Sequence, residues 1–246
     1  MDLRELVSYC DRRLEAGSFD DYCPNGLQVE AGEQVTRIVS GVTASLDLIE
    51  AAVRAEADLL LVHHGYFWKG EAAPLTGMKG RRVRRLMQSG LSLLAYHLPL
   101  DAHHELGNNA GLGRALGFDG APIADKSLVW GAHLEQPQSP QALGERISDA
   151  LAREPQLLCG ERPISRVAWC TGAAQGYIVQ AADAGYDAFI SGEVSEQTLH
   201  LARELGIAYF AAGHHATERF GVQSLGTELA EAFDLEHRFI DVPNPV

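Results

Sequence analysis

The sequence predicts an α/β fold with largely parallel sheets, laid down twice along one chain. Three observations point there. Helical patterns alternate with short apolar runs, the order that builds parallel sheets. Part of that order returns 129 positions later, since Arg166 follows Arg37 and Asp187 follows Asp58 at that offset. Several apolar runs also end in histidines or acids, and parallel strands expose their carboxyl ends to ligands.

Residues 2–16 read as an amphipathic helix. Val35 to Thr43 reads as a strand, Leu46 to Ala55 as a helix and Asp58 to Val62 as a buried strand. Arg81 to Ser89 is expected to be a basic helix, and Leu91 to His97 a further strand. In the second copy, Arg166-Val167-Ala168 stands for Arg37-Ile38-Val39, and Asp187-Ala188-Phe189-Ile190 for the run from Asp58. Ile49 then matches Ile178, Ala52 matches Ala181, and an apolar run from Ile207 to Ala212 follows. The low identity between the copies leaves chance as the competing explanation. The expected lobes are residues 1–125 and 126–246, joined within the weakly patterned stretch Gly120 to Pro140, with a C-terminal segment that can return to the first lobe.

Composition narrows the function. Hydrophobic residues form 46% of the 246 and charged residues 22%, which is ordinary for a globular chain with a sizeable core. The net charge of -13 disfavours nucleic acid, whose phosphates call for Lys and Arg. A small anionic substrate stays open, because a bound cation can dominate the local field. Cys10, Cys23, Cys159 and Cys170 form no C-x-x-C pair, so reduced thiols are expected. The N-terminus lacks the apolar run of a signal peptide and no stretch is long enough to span a membrane, so a cytoplasmic location is expected.

The chemistry-bearing residues cluster at run ends. His63-His64 follow Leu59 to Val62. Neighbours on an ideal strand face opposite ways, so a shared site asks the backbone to leave strand geometry, a turn that Gly65 would ease. Tyr96-His97-Leu98-Pro99-Leu100-Asp101 follows another buried run, and Pro99 stops further pairing. His103 and His104 come next and read as solvated loop residues. Gly213-His214-His215-Ala216-Thr217-Glu218 follows a third run. His214 and Glu218 are four apart, so on a helix they share a face and can grip one ion. Any one pair is weak evidence, but their repetition favours a metal site.

These residues also carry a family resemblance. Asp21-Tyr22-Cys23-Pro24-Asn25-Gly26-Leu27-Gln28-Val29, Gly41-Val42-Thr43 and Val62-His63-His64-Gly65-Tyr66-Phe67-Trp68-Lys69-Gly70 belong to the pattern. So do His97 to Asp101, Gly107-Asn108-Asn109, Ser191-Gly192-Glu193, Gly213 to Glu218 and Ile240 to Pro245. The chain resembles the NIF-three-like dinuclear-metal proteins, often labelled GTP cyclohydrolase 1 type 2 homologues, over essentially its whole length. The resemblance implies two interlinked three-layer α/β lobes and a cleft holding two divalent metal ions. By motif position it implies His63, His64, Asp101, His214 and Glu218 as ligands. It also implies a toroidal homo-hexamer, a trimer of dimers.

Five protein ligands for two ions leave open positions, as catalysis requires. His97 is a candidate general acid or base, with a structural strand-end histidine as the plain alternative. Glu193 and His215 are candidates to support the ligands, Glu193 because it stands 129 positions after His64. Tyr66, Phe67 and Trp68 can stack on a base or simply pack, and packing is the commoner role. Lys69 and the run Lys79, Arg81, Arg82, Arg84 and Arg85 are expected to be solvated before they are expected to bind anions. No Gly-x-x-x-x-Gly-Lys-Ser/Thr loop is present. The expected function is a metal-dependent hydrolase of a nucleotide or phosphorylated small molecule, with GTP ring opening as the family label suggests. The competing function is a non-catalytic metal-binding scaffold or regulator. Zinc, manganese, iron, cobalt and nickel all suit such ligands.

Overall fold

Asp2 starts the first helix, α1 (Leu3–Arg13), by accepting from the backbone N–H of Arg4 at 2.9 Å and of Glu5 at 3.1 Å. The helix ends sooner than its apolar pattern suggests because the chain turns left-handed at Glu15. The computed structural model describes residues 1–246. After α1 come β1 (Gly26–Val29), β2 (Arg37–Thr43), α2 (Leu46–Arg54), β3 (Leu59–His64), α3 (Gly77–Gln88), β4 (Ser92–Ala95) and α4 (Leu98–Ala102). Helix α3 begins before the basic run, since Gly80 lacks a Cβ and lets the Leu75 carbonyl close against it.

The chain continues through α5 (Asn108–Ala115), β5 (Gly120–Pro122), β6 (Trp130–Gln138), α6 (Pro140–Leu151), β7 (Gln156–Leu158) and β8 (Ile164–Cys170). It then forms α7 (Ile178–Asp183), β9 (Ala188–Ser191), α8 (Glu196–Leu205), β10 (Ala208–Ala211), α9 (His214–Thr217), α10 (Arg219–Phe233) and β11 (Glu236–Phe239). No helix is long and apolar enough to cross a membrane.

Two units result. The first is Met1–Leu100 with Gly221–Pro243, and the second is Asp101–Phe220 with Asn244–Val246. The division therefore falls at Leu100/Asp101, not at 125/126. Packing gives the reason. Leu112, Leu116 and Phe118 bury against Trp169 of β8, whose indole N–H donates to the Asn109 carbonyl at 2.9 Å. The stretch Gly120 to Pro140 is not a linker but carries β5 and β6, whose exposed polar residues hid the strand pattern. The C-terminal segment does return to the first unit, where β11 pairs in parallel with β2 from Glu236↔Arg37 to Phe239↔Ser40.

The first sheet runs β1-β4-β3-β2-β11, parallel except at β1. The second runs β5-β6-β8-β9-β10-β7 and is parallel only across β8, β9 and β10. It is thus a mixed sheet, because hairpin-like partners flank its parallel centre.

The internal repeat is visible in the strand ladders. Ile38 lies opposite Leu59 on β2 and β3, and Val167 lies opposite Ala188 on β8 and β9, each 129 positions later. The carboxylate of Asp58 accepts from the N–H of Thr36 at 2.8 Å and of Arg37 at 2.9 Å. That of Asp187 accepts from the N–H of Ser165 and of Arg166, both at 2.8 Å. Each aspartate thereby clasps the start of the neighbouring strand. The ladders extend the match to the strand ends: Tyr96 N–H bonds Val62 O and Ala212 N–H bonds Ser191 O, so His97 corresponds to Gly213.

Asp58→Ala removes the clasp and is expected to cost about 1–2 kcal/mol of unfolding free energy in urea. Burial works to raise the Asp58 carboxyl, but the Thr36 and Arg37 donors outweigh it and hold it below its ordinary value. The contribution is therefore fully present above the ordinary carboxylate pKa and disappears as pH falls below it. Equal urea midpoints for Asp58→Ala and the parent at pH 7 would show that the clasp does not matter.

Candidate metal centre

In the first unit, strand order brings three imidazoles together. His63 and His64 end β3, and His97 follows β4. One ring nitrogen from each lies within 4.8 Å of the others. The ring centroids of His63 are 4.6 Å from His64 and 5.0 Å from His97. His63 is wholly buried, and its Nδ1 meets the Tyr96 carbonyl at 2.9 Å. A carbonyl can only accept, so Nδ1 carries a proton, and in the neutral ring Nε2 is the nitrogen with the lone pair. His64 Nδ1 lies 3.1 Å from Thr43 Oγ1. His97 Nδ1 donates to the Asp21 carboxylate at 2.7 Å.

The backbone does not leave strand geometry to achieve this, as β3 runs through His64. Gly65 is needed for a different reason. A Cβ there would lie 2.1 Å from Gln28 Oε1, and that oxygen accepts from the Tyr66 N–H at 2.7 Å. Close approach, not turning, requires the glycine.

In the second unit, Asp101 is buried. Its Oδ1 accepts from Asn108 Nδ2 at 2.9 Å and from Thr171 Oγ1 at 3.3 Å. Asn109 bonds the Asp101 carbonyl and the Thr171 N–H, tying α5 to the end of β8. His214 Nδ1 donates to Glu193 Oε1 at 2.7 Å, and His214 Nε2 lies 3.0 Å from Glu218 Oε2. The spacing of four does put His214 and Glu218 side by side. Burial works against a charged His214, but Glu218 and Glu193 outweigh it and lift the ring to about 9. A metal ion bound there would take the place of that proton.

Gly172 leaves room for the buried Glu218. Its φ is +70°, and a Cβ would lie 2.1 Å from Glu218 Oε1 and 3.3 Å from His214 Nε2. The donor types suit divalent cations, since the first unit offers three imidazoles and the second an imidazole with carboxylates. The Tyr96 carbonyl holds the proton on His63 Nδ1.

The other candidates separate. Glu193 supports His214 directly. His215 is buried, and its backbone N–H donates to the Val246 carbonyl at 3.0 Å. Tyr66 packs in the core with its hydroxyl on the Ala44 carbonyl at 2.7 Å, and Phe67 packs beside it. Trp68 alone of the three meets the imidazoles, edge-on to His97 with centroids 5.0 Å apart. Lys69 pairs with Asp20, and Arg85 pairs with Glu50. His103 Nδ1 accepts from the N–H of Glu105 and of Leu106, while His104 is exposed. All four cysteines are free thiols.

The sequence pattern does not mark Asp21, Thr43, Asn108 or Thr171 as site residues. The first three lie in the runs that carry the resemblance, but nothing in a linear pattern says that Asp21 holds His97, that Thr43 meets His64 or that Asn108 holds Asp101. Gly172 has only the repeat as a signal, standing 129 positions after Thr43.

Gly172→Ala is expected to cost about 1–2 kcal/mol in urea unfolding, from left-handed backbone on a residue with a Cβ. It also pushes the Glu218 carboxylate aside, and zinc titration should show weaker binding by about 10–100-fold. Gly176→Ala is the control, since nothing lies within 4 Å of its Cβ position. Parent-like zinc binding in Gly172→Ala would separate Glu218 from the metal.

Known proteins place this geometry in a family. Residues 1–245 match the model for Duf34/NIF3 (NGG1p interacting factor 3). A GTP cyclohydrolase 1 type 2 homolog of Allochromatium vinosum is 59% identical, over 99% of this chain and 97% of that protein. One from Pseudomonas aeruginosa is 57% identical, over 99% and 98%. Among solved structures, protein ybgI, described as of unknown function, covers 100% of both chains at 48% identity with a TM-score of 0.96. TTHA1606 from Thermus thermophilus covers 100% of both at 35% identity with a TM-score of 0.92. Carrying the ladder, the imidazole cluster and this full-length match together, the chain belongs to the Duf34/NIF3 family.

Proposed function

We propose that this protein is a metal-dependent hydrolase acting on a nucleotide or another phosphorylated small molecule. In this reading His63, His64, Asp101, His214 and Glu218 hold two divalent ions. The observation that carries it is the fixed tautomer of buried His63, whose Nε2 lone pair is the form a metal needs. The names of the curated relatives add the hydrolytic class, with GTP as one substrate to try.

Bound ions supply Lewis acidity and make water a stronger acid. The chain's own residues do the rest. Asp101 is held by Asn108 and Thr171, and His214 by Glu193, so the donors keep their directions during turnover. His97, with Nδ1 engaged, works through Nε2. It takes a proton from the attacking water as the water oxygen bonds to the substrate. It returns that proton to the leaving group as the old bond breaks. Zinc, manganese, iron, cobalt and nickel all fit the ligand types. A homo-hexamer built as a trimer of dimers and a cytoplasmic location belong to the same proposal.

The test is turnover of GTP and of bis(p-nitrophenyl) phosphate by chelator-stripped protein and by protein reloaded with zinc or manganese. Hydrolysis is expected only in the reloaded samples, and Glu218→Gln should lower it by on the order of 100-fold or more. Loaded protein that hydrolyses neither compound, nor other nucleotides, would leave a metal-holding scaffold as the better description.

A further inference from the structure

Asp21 is a buried carboxylate whose ion-pair partner is a histidine. Its side chain is 2% exposed, and the nearby Lys69 pairs with Asp20 instead. A charge in that position is costly unless every lone pair is used. Every one is. Oδ1 accepts from the Tyr22 N–H at 2.6 Å and from His97 Nδ1 at 2.7 Å. Oδ2 accepts from Asn25 Nδ2 and from the Leu98 N–H, both at 2.9 Å. Four donors converge, and only an ionised carboxylate accepts four bonds. An asparagine would turn its NH2 against two of them.

The loop grips His97 twice. Asn25 donates to Asp21 through Nδ2 and accepts from the His97 N–H through Oδ1 at 2.7 Å. The backbone and the ring of one residue are thus held by a single Asp21-to-Asn25 turn. Other side chains confine the ring. Trp68 meets it edge-on at 5.0 Å, and Tyr22 at 6.4 Å. Trp68 is itself fixed, because its indole N–H donates to the Gly65 carbonyl at 3.2 Å and Glu71 accepts from its backbone N–H at 3.1 Å. The ring nitrogens of His63 and His64 lie within 4.8 Å of one on His97. A histidine needed only for packing would not require this many oriented partners.

We propose that Asp21 is a positioning residue of the site, fixing His97 as the Nδ1–H tautomer with Nε2 as an unmetallated acceptor beside His63 and His64. The inference rests on the reading of His97 as the proton carrier of a hydrolase. Burial tends to raise the Asp21 carboxyl, but the His97 and Asn25 bonds outweigh it and hold it down at about 2, in keeping with a carboxylate ionised throughout the working range.

The experiment is histidine-selective nitrogen NMR on zinc-loaded full-length protein, with zinc content and bis(p-nitrophenyl) phosphate hydrolysis measured on the same samples. The parent is expected to show His97 as Nδ1–H with a metal-free Nε2. In Asp21→Asn, His97 should change tautomer while zinc per chain stays at the parent level. Hydrolysis should fall on the order of 100-fold in kcat with KM little changed. His97→Gln should match that fall, and the double variant should fall no further. Asp21→Glu, which keeps the charge, should recover part of the rate. An unchanged His97 tautomer in Asp21→Asn overturns the inference, and so does Nε2 bonded to zinc in the parent. Should Asp21→Asn not fold, the parent spectrum together with His97→Gln decides: a parent His97 protonated on Nε2, or His97→Gln with parental kcat, overturns it. Parent protein that lacks hydrolysis defeats the hydrolase reading alone, and the tautomer comparison still decides whether Asp21 sets His97.

Discussion

The parallel pairing of β3 with β4 governs the rest of the site. Val62 lies opposite Ala95, so the next residues along each strand, His63 and Tyr96, emerge together at the carboxyl edge. The Tyr96 carbonyl then meets His63 Nδ1 and decides which nitrogen keeps a lone pair. Because that carbonyl belongs to the backbone, its position is set by the strand pairing and not by a rotamer. Shifting the register by one residue would turn His63 away and lose the tautomer with it.

The duplication shows how one frame carries two sets of donors. Asp58 and Asp187 clasp equivalent strand starts, so the two sheet centres share a register. Chemistry diverges only at the strand ends. Thr43 and Gly172 are equivalent, yet one supports His64 while the other makes room for Glu218. His64 and Glu193 are equivalent too, yet one is a proposed ligand and the other holds a proposed ligand. The frame is fixed by buried apolar ladders, which leaves the edges free to differ.

Much of this was legible in the chain. Apolar runs and their spacing gave the α/β class, and Arg37 with Asp58 against Arg166 with Asp187 gave the repeat. The i,i+4 pair of His214 and Glu218 gave a true neighbour relation because a single helical turn is a local matter. What escaped was non-local or masked by polarity. Strand β6 was hidden because its exposed residues, His133 and Glu135 among them, break the apolar pattern. The unit boundary was hidden because α5 is claimed by Trp169, 60 positions from the Asn109 carbonyl it bonds. Asp21 was hidden because its grip on His97 spans 76 positions.

The central proposal is that His63, His64, Asp101, His214 and Glu218 are ligands of two divalent ions in each chain. Metal content per chain, measured by mass spectrometry on protein purified without chelator or affinity-tag metal, tests it most directly when set beside His63→Ala and His214→Ala. The account predicts about two ions per chain in the parent and fewer in both variants. A parent chain that carries no metal and takes up neither zinc, manganese nor iron would contradict it.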